Sequence, residues 1–463
     1  MLNFLLRYLT PSHVRISVSP GHLYSAWSLA IIMAVAMAGR AAAMEPLPRV
    51  SLREITVSNG LKAVLAPQGR ASVATLEVWY HVGSKNEAPG MSGFAHLFEH
   101  LMFDGTVDVG RGVFSRDIVS TGGVDNAYTT VDATVFWETV PSSTLPLALW
   151  LEADRMRNLS ITRRAFETER QVVEDERRYR LESQPYGNVI EKLYQTAFKV
   201  SPYRHLPIGS VKDLNRARLN EVRQFHDTYY VPNNATLVVT GDFPPARTEA
   251  LIRKYFGPLR RSAQPIPRQI PQEPPQTHER KVQLHEDVAL PAFVMGFHIP
   301  ADGTPDSYPL RLLADILSQG ESSLLYRELV YRKQMALESQ AEANLTEDPN
   351  LFLIFAVMNR GATVAQGEAA VRAILRQLKS RPVSQATLEK AERQMVFHWA
   401  RERETSRGEA EQLGYDAVIL NDPNAINTAM TRLLAVTPRE IQSVARKYFV
   451  RRNLTVIEVD PSR

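Results

Sequence analysis

Regular patterning begins with apolar and polar positions alternating over residues 52–67, on either side of Ser58-Asn59-Gly60. That predicts a hairpin turning at those three residues. Residues 73–82 (VATLEVWYHV) read as a strand, Gly93 to Phe103 as a helix and 133–140 as a further strand. Apolar positions then recur at helical spacing over 144–157 and 164–199. Residues 264–275 (QPIPRQIPQEPP) hold five prolines, which exclude a helix or a central strand and predict an extended strap. Beyond the strap the pattern returns in kind. Phe225-x3-Tyr229-x4-Asn234-x-Thr236 matches Val444-x3-Tyr448-x4-Asn453-x-Thr455 at an offset of 219, each a helix end, a short turn and a β-rich run. Earlier, His100-Leu-Met-Phe-Asp-Gly105 faces Asp315-Ile-Leu-Ser-Gln-Gly320 at an offset of 215. The expectation is an α+β protein built by duplication, each half a sheet with helices packed on one side. The first domain is placed at 44–262, the strap at 263–277 and the second domain at 278–463.

Composition narrows the chemistry. The chain of 463 residues has no cysteine, which excludes disulfides, Cys-ligated zinc, iron–sulfur clusters and thiol nucleophiles. Any metal must be held by His, Asp and Glu. The formal charge of +4 has a local origin: residues 1–43 hold Arg7, Arg15 and Arg40 and no acid. Without them the balance is 51 basic to 50 acidic residues, so the charge gives no reason to expect a nucleic-acid partner. Ala26 to Ala38 is an apolar run of thirteen residues, short of the roughly 20 that span a bilayer. Ala41-x-Ala43 follows it, so residues 1–43 read as an export signal cleaved before Met44. The expected location is the bacterial periplasm, with no stable membrane span once the signal is removed; an uncleaved anchor is the alternative.

The strongest chemical signal is residues 91–105, MSGFAHLFEHLMFDG. His96 and His100 stand at i and i+4, one turn apart on one helix face, a spacing that presents two imidazoles to one zinc ion. Glu99 lies between them on nearly the same face, within reach of a water in the site. A catalytic zinc needs a third protein ligand and an open position. The alternative is a helix with two solvated histidines and a surface acid, but Phe94, Ala95, Leu97, Phe98, Leu101, Met102 and Phe103 make the helix otherwise apolar. Polar groups inside it need partners, and a metal supplies them. The third ligand should be an acid further on. Glu176, 76 residues after His100, lies in ETERQVVEDERR (167–178), with Glu169 two helical turns before it. The alternative for such a run is a solvated charged helix, and Glu167, Glu174 and Asp175 read that way. His205, His226 and His278 read as solvated histidines.

His-x-x-Glu-His followed by a glutamate about 76 residues later resembles the pitrilysin/insulysin family of inverted zinc peptidases. The resemblance is to its half-length bacterial branch, related to the mitochondrial processing peptidase β subunit and to the zinc subunit of two-subunit bacterial peptidases. The flanking residues agree: Gly83-Ser84, Phe103-Asp-Gly-Thr106, and Gly122-Gly-Val-Asp-Asn126-Ala127-Tyr-Thr129-x-x-Asp132-x-Thr134. The resemblance covers about residues 50–460. It implies one zinc ion held by His96, His100 and Glu176, with Glu99 as general base and Glu169 in support behind His100. It also implies that the Gly122-to-Thr134 segment is an edge strand pairing with peptide substrates, Asn126 and Ala127 beside the scissile bond. The fold it implies is one half of a clam-shell peptidase that hydrolyses short or unfolded peptides.

One departure bears on partners. The family's second domain usually carries Leu-Tyr-x-x-Leu-Arg-x-x-x-Gly-x-x-Tyr, whose Arg and last Tyr reach the active site from the opposite lobe. Here Val330 stands for the Arg, Gln334 for the Gly and Leu337 for the Tyr. Tyr331 and Arg332 are one or two positions off, which on a helix points them roughly 100–200° away. At the offset of 215 the motif residues fall on Arg311, Ala314 and Asp315, so the second domain reads as a partner in shape without a metal site. The resemblance therefore implies a heterodimer with a homologous zinc-less subunit that supplies Arg and Tyr, a homodimer being the runner-up. Two other readings stay open: a noncatalytic core or assembly subunit, and a peptidase that trims one dedicated precursor.

Overall fold

The computed structural model describes residues 47–69 and 71–462. The export signal read at 1–43 lies outside them. The first sheet holds β1 (Arg53–Thr56), β2 (Lys62–Pro67), β3 (Val73–Tyr80), β4 (Val124–Thr129), β5 (Thr134–Pro141) and β6 (Ala235–Gly241), in the order β1-β2-β6-β3-β5-β4. The second holds β7 (Arg280–Glu286), β8 (Ala292–Ile299), β9 (Ala336–Ala343), β10 (Asn350–Met358) and β11 (Leu454–Pro461), in the order β7-β11-β8-β10-β9. Strip β1 from the first and the two sheets share one topology. β2 pairs with β6 in parallel, as β7 does with β11, and all the other pairings are antiparallel. Both halves of a duplicated α+β protein are therefore visible.

The duplication extends to hydrogen bonds. The Asn234 amide donates to the carbonyls of Tyr229 (2.7 Å) and His81 (3.4 Å). The Asn453 amide donates to Tyr448 and His298, both at 2.9 Å. These asparagines are the pair that the offset of 219 aligned. Each pins a helix end to the strand beside it.

Within each half the helices gather on one face of the sheet, yet the opposite face is covered too. Helix Ser406–Val418 of the second half packs on β3 and β6, and helix Val189–Ala197 of the first half packs on β8 and β11. The exchange is complementary in size. Gly414 leaves room for the Trp79 indole, and Gly296 leaves room for the Leu193 methyls, which a β-carbon would meet at 3.2 Å. Strands covered on both faces lose their alternation, and every residue of β6 and β10 is buried. The expected helical stretch over 164–199 is broken. Helix Arg163–Arg177 runs into a π-helical turn, Arg178–Glu182, and the chain resumes as a helix at Val189. Pro185 and Gly187 lie in the gap, where neither favours a helix. Residues 263–277 carry no regular structure, and Glu273 accepts hydrogen bonds from the Lys199, Val200 and Ser201 amides.

Candidate metal centre

The motif helix, Phe94–Leu101, buries Phe94, Ala95, Leu97, Phe98 and Leu101 in the first core. Its cap residue is Gly93, at φ 101°, a conformation open to glycine and without a capping side chain. Glu87 does that work from upstream, accepting from the Gly93 amide at 2.9 Å and the Ala95 amide at 2.8 Å. The helix lies against Arg163–Arg177 and against β4 and β5. The inward stripe of Arg163–Arg177 contains Ala165, Phe166, Glu169 and Val173, and Glu176 continues it at i+3.

Two helices thus bring His96, His100 and Glu176 together, one donor atom from each lying within 4.8 Å of the others. Glu176 Oε2 is 3.2 Å from His100 Nε2 and 3.8 Å from His96 Nε2, and the imidazole centres are 4.9 Å apart. Glu99 Oε2 is 3.9 Å from His96 Nε2 and accepts from the Thr129 hydroxyl at 2.7 Å. Glu169 stands behind His100, its Oε2 3.6 Å from Nδ1, and accepts from Arg111 at 2.7 Å. Arg180 meets the outer oxygen of Glu176 at 2.8 Å, leaving Oε2 to the histidines.

The electrostatics are those of a seat for a cation. Burial pushes the His96 pKa down, which favours the neutral imidazole that a metal requires. Burial would also lower His100, but Glu169 and Glu176 outweigh it and hold His100 up at about 9. Burial would raise Glu176, but the histidines and Arg180 hold it down at about 2. Two carboxylates face the His100 imidazole, and Nε2 of His96 looks toward Glu99 and Glu176. Two imidazoles and a carboxylate are the donor set of a catalytic zinc with an open position. The residues present fit that ion.

Other sequence expectations fall as follows. Asn126 and Ala127 lie on β4, the edge strand, opposite Trp137 and Phe136 of β5. Alternation puts Ala127 on the face of Thr129 and Glu99, and Asn126 on the face of Tyr128, whose hydroxyl reaches Glu411. The Asn126 side chain accepts from the Ala127 amide at 2.8 Å. Glu167 and Asp175 are at the surface as expected, whereas Glu174 is largely covered beside Arg170. His226 is a correction: it stacks on Tyr230 with 12% of its side chain exposed, because the motif helix packs over it through Phe98. His205 is likewise mostly covered, at 23%. In the second domain Val330 packs on the core, Tyr331 is exposed, and Arg332 pairs with Glu328. Arg311, at the position of His96, pairs with Asp302. Sequence reasoning gave no role to Glu87, Arg111 or Arg180, and quoted Thr129 without one. For Arg180 the i, i+4 spacing from Glu176 was a usable signal.

The Insulinase (Peptidase family M16) family model matches residues 62–206, a span that holds His96, Glu99, His100, Glu169 and Glu176. The model described as Peptidase M16 inactive domain matches 216–395. The zinc protease PqqE of Helicobacter pylori is 31% identical over 410 residues, 88% of this chain and 92% of that protein. The probable mitochondrial-processing peptidase subunit beta of Arabidopsis thaliana is 24% identical over 422 residues, 88% of this chain and 78% of that protein. The crystal structure of a protease from Helicobacter pylori matches with a TM-score of 0.86 at 31% identity, over 89% of this chain and 100% of that one. The periplasmic protease PqqL from Escherichia coli shares the fold, with a TM-score of 0.72 at 17% identity, and this chain covers 48% of it. On this likeness across both halves, the chain belongs to peptidase family M16, the insulinase family.

Proposed function

We propose that the chain is a zinc-dependent endopeptidase acting on short or unfolded peptides. The observation that carries the reading is the convergence of His96, His100 and Glu176 beside Glu99. Zinc, when bound there, supplies a Lewis acid and lowers the pKa of water. Glu99, aimed by the Thr129 hydroxyl, takes the proton of the attacking water and returns it to the leaving amine. Glu169 holds the far side of His100, and Arg180 holds the far oxygen of Glu176, so both ligands keep their direction. The free edge of β4 runs beside the motif helix and receives a substrate as an added strand, Ala127 on the side of the chemistry. Main-chain pairing is indifferent to sequence, which suits extended substrates.

The proposal extends to assembly and place. The second domain has Val330 and Leu337 where the family's Arg and Tyr stand, so a homologous zinc-less subunit supplies them in a heterodimer. The chain acts in the periplasm, exported by residues 1–43. Among the described residues no helix is long and apolar enough to cross a membrane. Domain limits of 44–262 and 278–463, joined by 263–277, accord with two sheets on either side of a strap without regular structure. Metal analysis with a turnover assay tests the reading. One zinc per chain, lost in Glu176→Gln, with turnover appearing only beside an Arg/Tyr-bearing relative, is the expected result. Turnover by the lone chain removes the heterodimer and keeps the peptidase. A chain that takes up no zinc removes both.

A further inference from the structure

The two domains meet through a pair of turns related by the duplication. In the first sheet Thr129 pairs with Thr134, so four residues, 130–133, join β4 to β5. In the second sheet six residues, 344–349, join β9 (ending at Ala343) to β10 (starting at Asn350). The longer turn carries Glu347 and Asp348. Both reach across to Lys85, whose ammonium lies 2.6 Å from Glu347, 2.9 Å from Asp348 and 2.9 Å from Asp132 of the shorter turn. The Glu347 amide donates to Asp132 at 3.0 Å. The Tyr203 hydroxyl donates to Asp132 at 2.5 Å and accepts from the Asp348 amide at 3.2 Å. His81 meets Glu347 at 2.6 Å. The Lys85 side chain is 4% exposed, and an ammonium so covered is tolerable only with anionic partners. Burial alone would push Lys85 down, but Asp132, Glu347 and Asp348 hold it above the usual lysine range.

What this clasp holds gives it meaning. The Ser84 and Lys85 amides donate to the Thr130 and Val131 carbonyls, at 3.2 and 3.0 Å, so the 83–87 segment and the short turn form one unit. One end of that unit is Thr129, whose hydroxyl holds Glu99 at 2.7 Å. The other end is Glu87, which caps the motif helix. We propose that Glu347 and Asp348 are positioning residues for the metal half. Through Lys85 and Asp132 they fix the β4–β5 turn and so set Thr129 against the Glu99 carboxylate. The second domain then contributes to the chemistry without touching substrate or metal, and the extra turn residues are its means. The kinetic side of this inference rests on the peptidase reading; the structural side does not.

The test is Glu347→Gln combined with Asp348→Asn, isosteric changes that leave Lys85 one anionic partner. Hydrogen exchange at the Ser84 and Lys85 amides should quicken about tenfold or more, while β10 amides stay protected and report an intact second domain. In the zinc-loaded enzyme with its partner, kcat should fall by up to about tenfold, no further than Thr129→Val takes it, with KM within about twofold. On a Thr129→Val background the same pair should cost less than about twofold, because the route to Glu99 is already cut. Unchanged exchange at Ser84 and Lys85 overturns the proposal, as does a kcat loss of equal size on both backgrounds. If the double variant fails to fold, Asp348→Asn alone is read by the same amides. If the zinc-loaded wild type turns nothing over, the peptidase reading fails and the exchange result alone decides the clasp.

Discussion

Glu87 gives both carboxylate oxygens to the first amides of a helix whose cap residue has no side chain. Glu87→Ala would leave two buried donors unpaired and lower stability by about 3 kcal/mol in urea unfolding, with weaker zinc retention because both histidines sit on that helix. A change within experimental error would mean that water replaces the carboxylate. Thr129→Val tests the other support. It removes the hydroxyl that aims Glu99 and touches no metal ligand, so kcat should drop about tenfold with zinc content unchanged. At this scale the sequence was legible where spacing is local. The i, i+4 histidines and Glu99 declare themselves by helical period, and Glu169 and Glu176 share a face two turns apart. The distance from His100 to Glu176 follows from no local rule and was readable only through resemblance to a family. Thr129 and Glu87 make contacts 30 and 6–8 residues away, set by a strand and a loop whose placement no periodicity encodes.

Among the elements, the exchanged helices carry the clearest prediction. A β-carbon at Gly414 would run into the Trp79 ring nitrogen, so Gly414→Ala forces the helix Ser406–Val418 away from β3. The expected cost is about 1–3 kcal/mol, seen as a lowered Tm, and a smaller ring in Trp79→Phe should restore part of it. Failure of the second change to help would mean that the Gly–Trp fit does not set the spacing. An amphipathic helix does not announce which sheet it will cover, which is why this exchange was invisible in the pattern. The burial of β6 and β10 on both faces was nonetheless written in their near-continuous apolar runs, Ala235–Gly241 and Asn350–Met358. The break at Ser183–Asn188 was signalled by Pro185 and Gly187. The duplication was legible because Asn234 and Asn453 repeat one structural task.

For the whole molecule, the clasp between the domains gives a pH dependence. Burial would raise Glu347, but His81 and Lys85 outweigh it and hold its pKa at about 2, below the 4.5 of an ordinary glutamate. A depressed carboxylate stabilises the fold fully above about pH 4.5, and that contribution is lost as the pH falls through about 2. Between pH 5 and 2 the wild type should therefore lose more stability than Glu347→Gln, the two curves converging at the acid end. Parallel curves would mean that the clasp contributes nothing to domain cohesion. If Glu99 performs the proton transfers in a zinc site built by His96, His100 and Glu176, its amide analogue keeps the metal and loses the chemistry. Hydrolysis of a quenched, unfolded peptide by the zinc-loaded chain from Met44 with its partner subunit, beside Glu99→Gln, tests this most directly. The expected result is turnover that chelator removes and zinc restores, and a Glu99→Gln variant that binds zinc in full yet is inactive. Turnover persisting in Glu99→Gln at full zinc occupancy would contradict it.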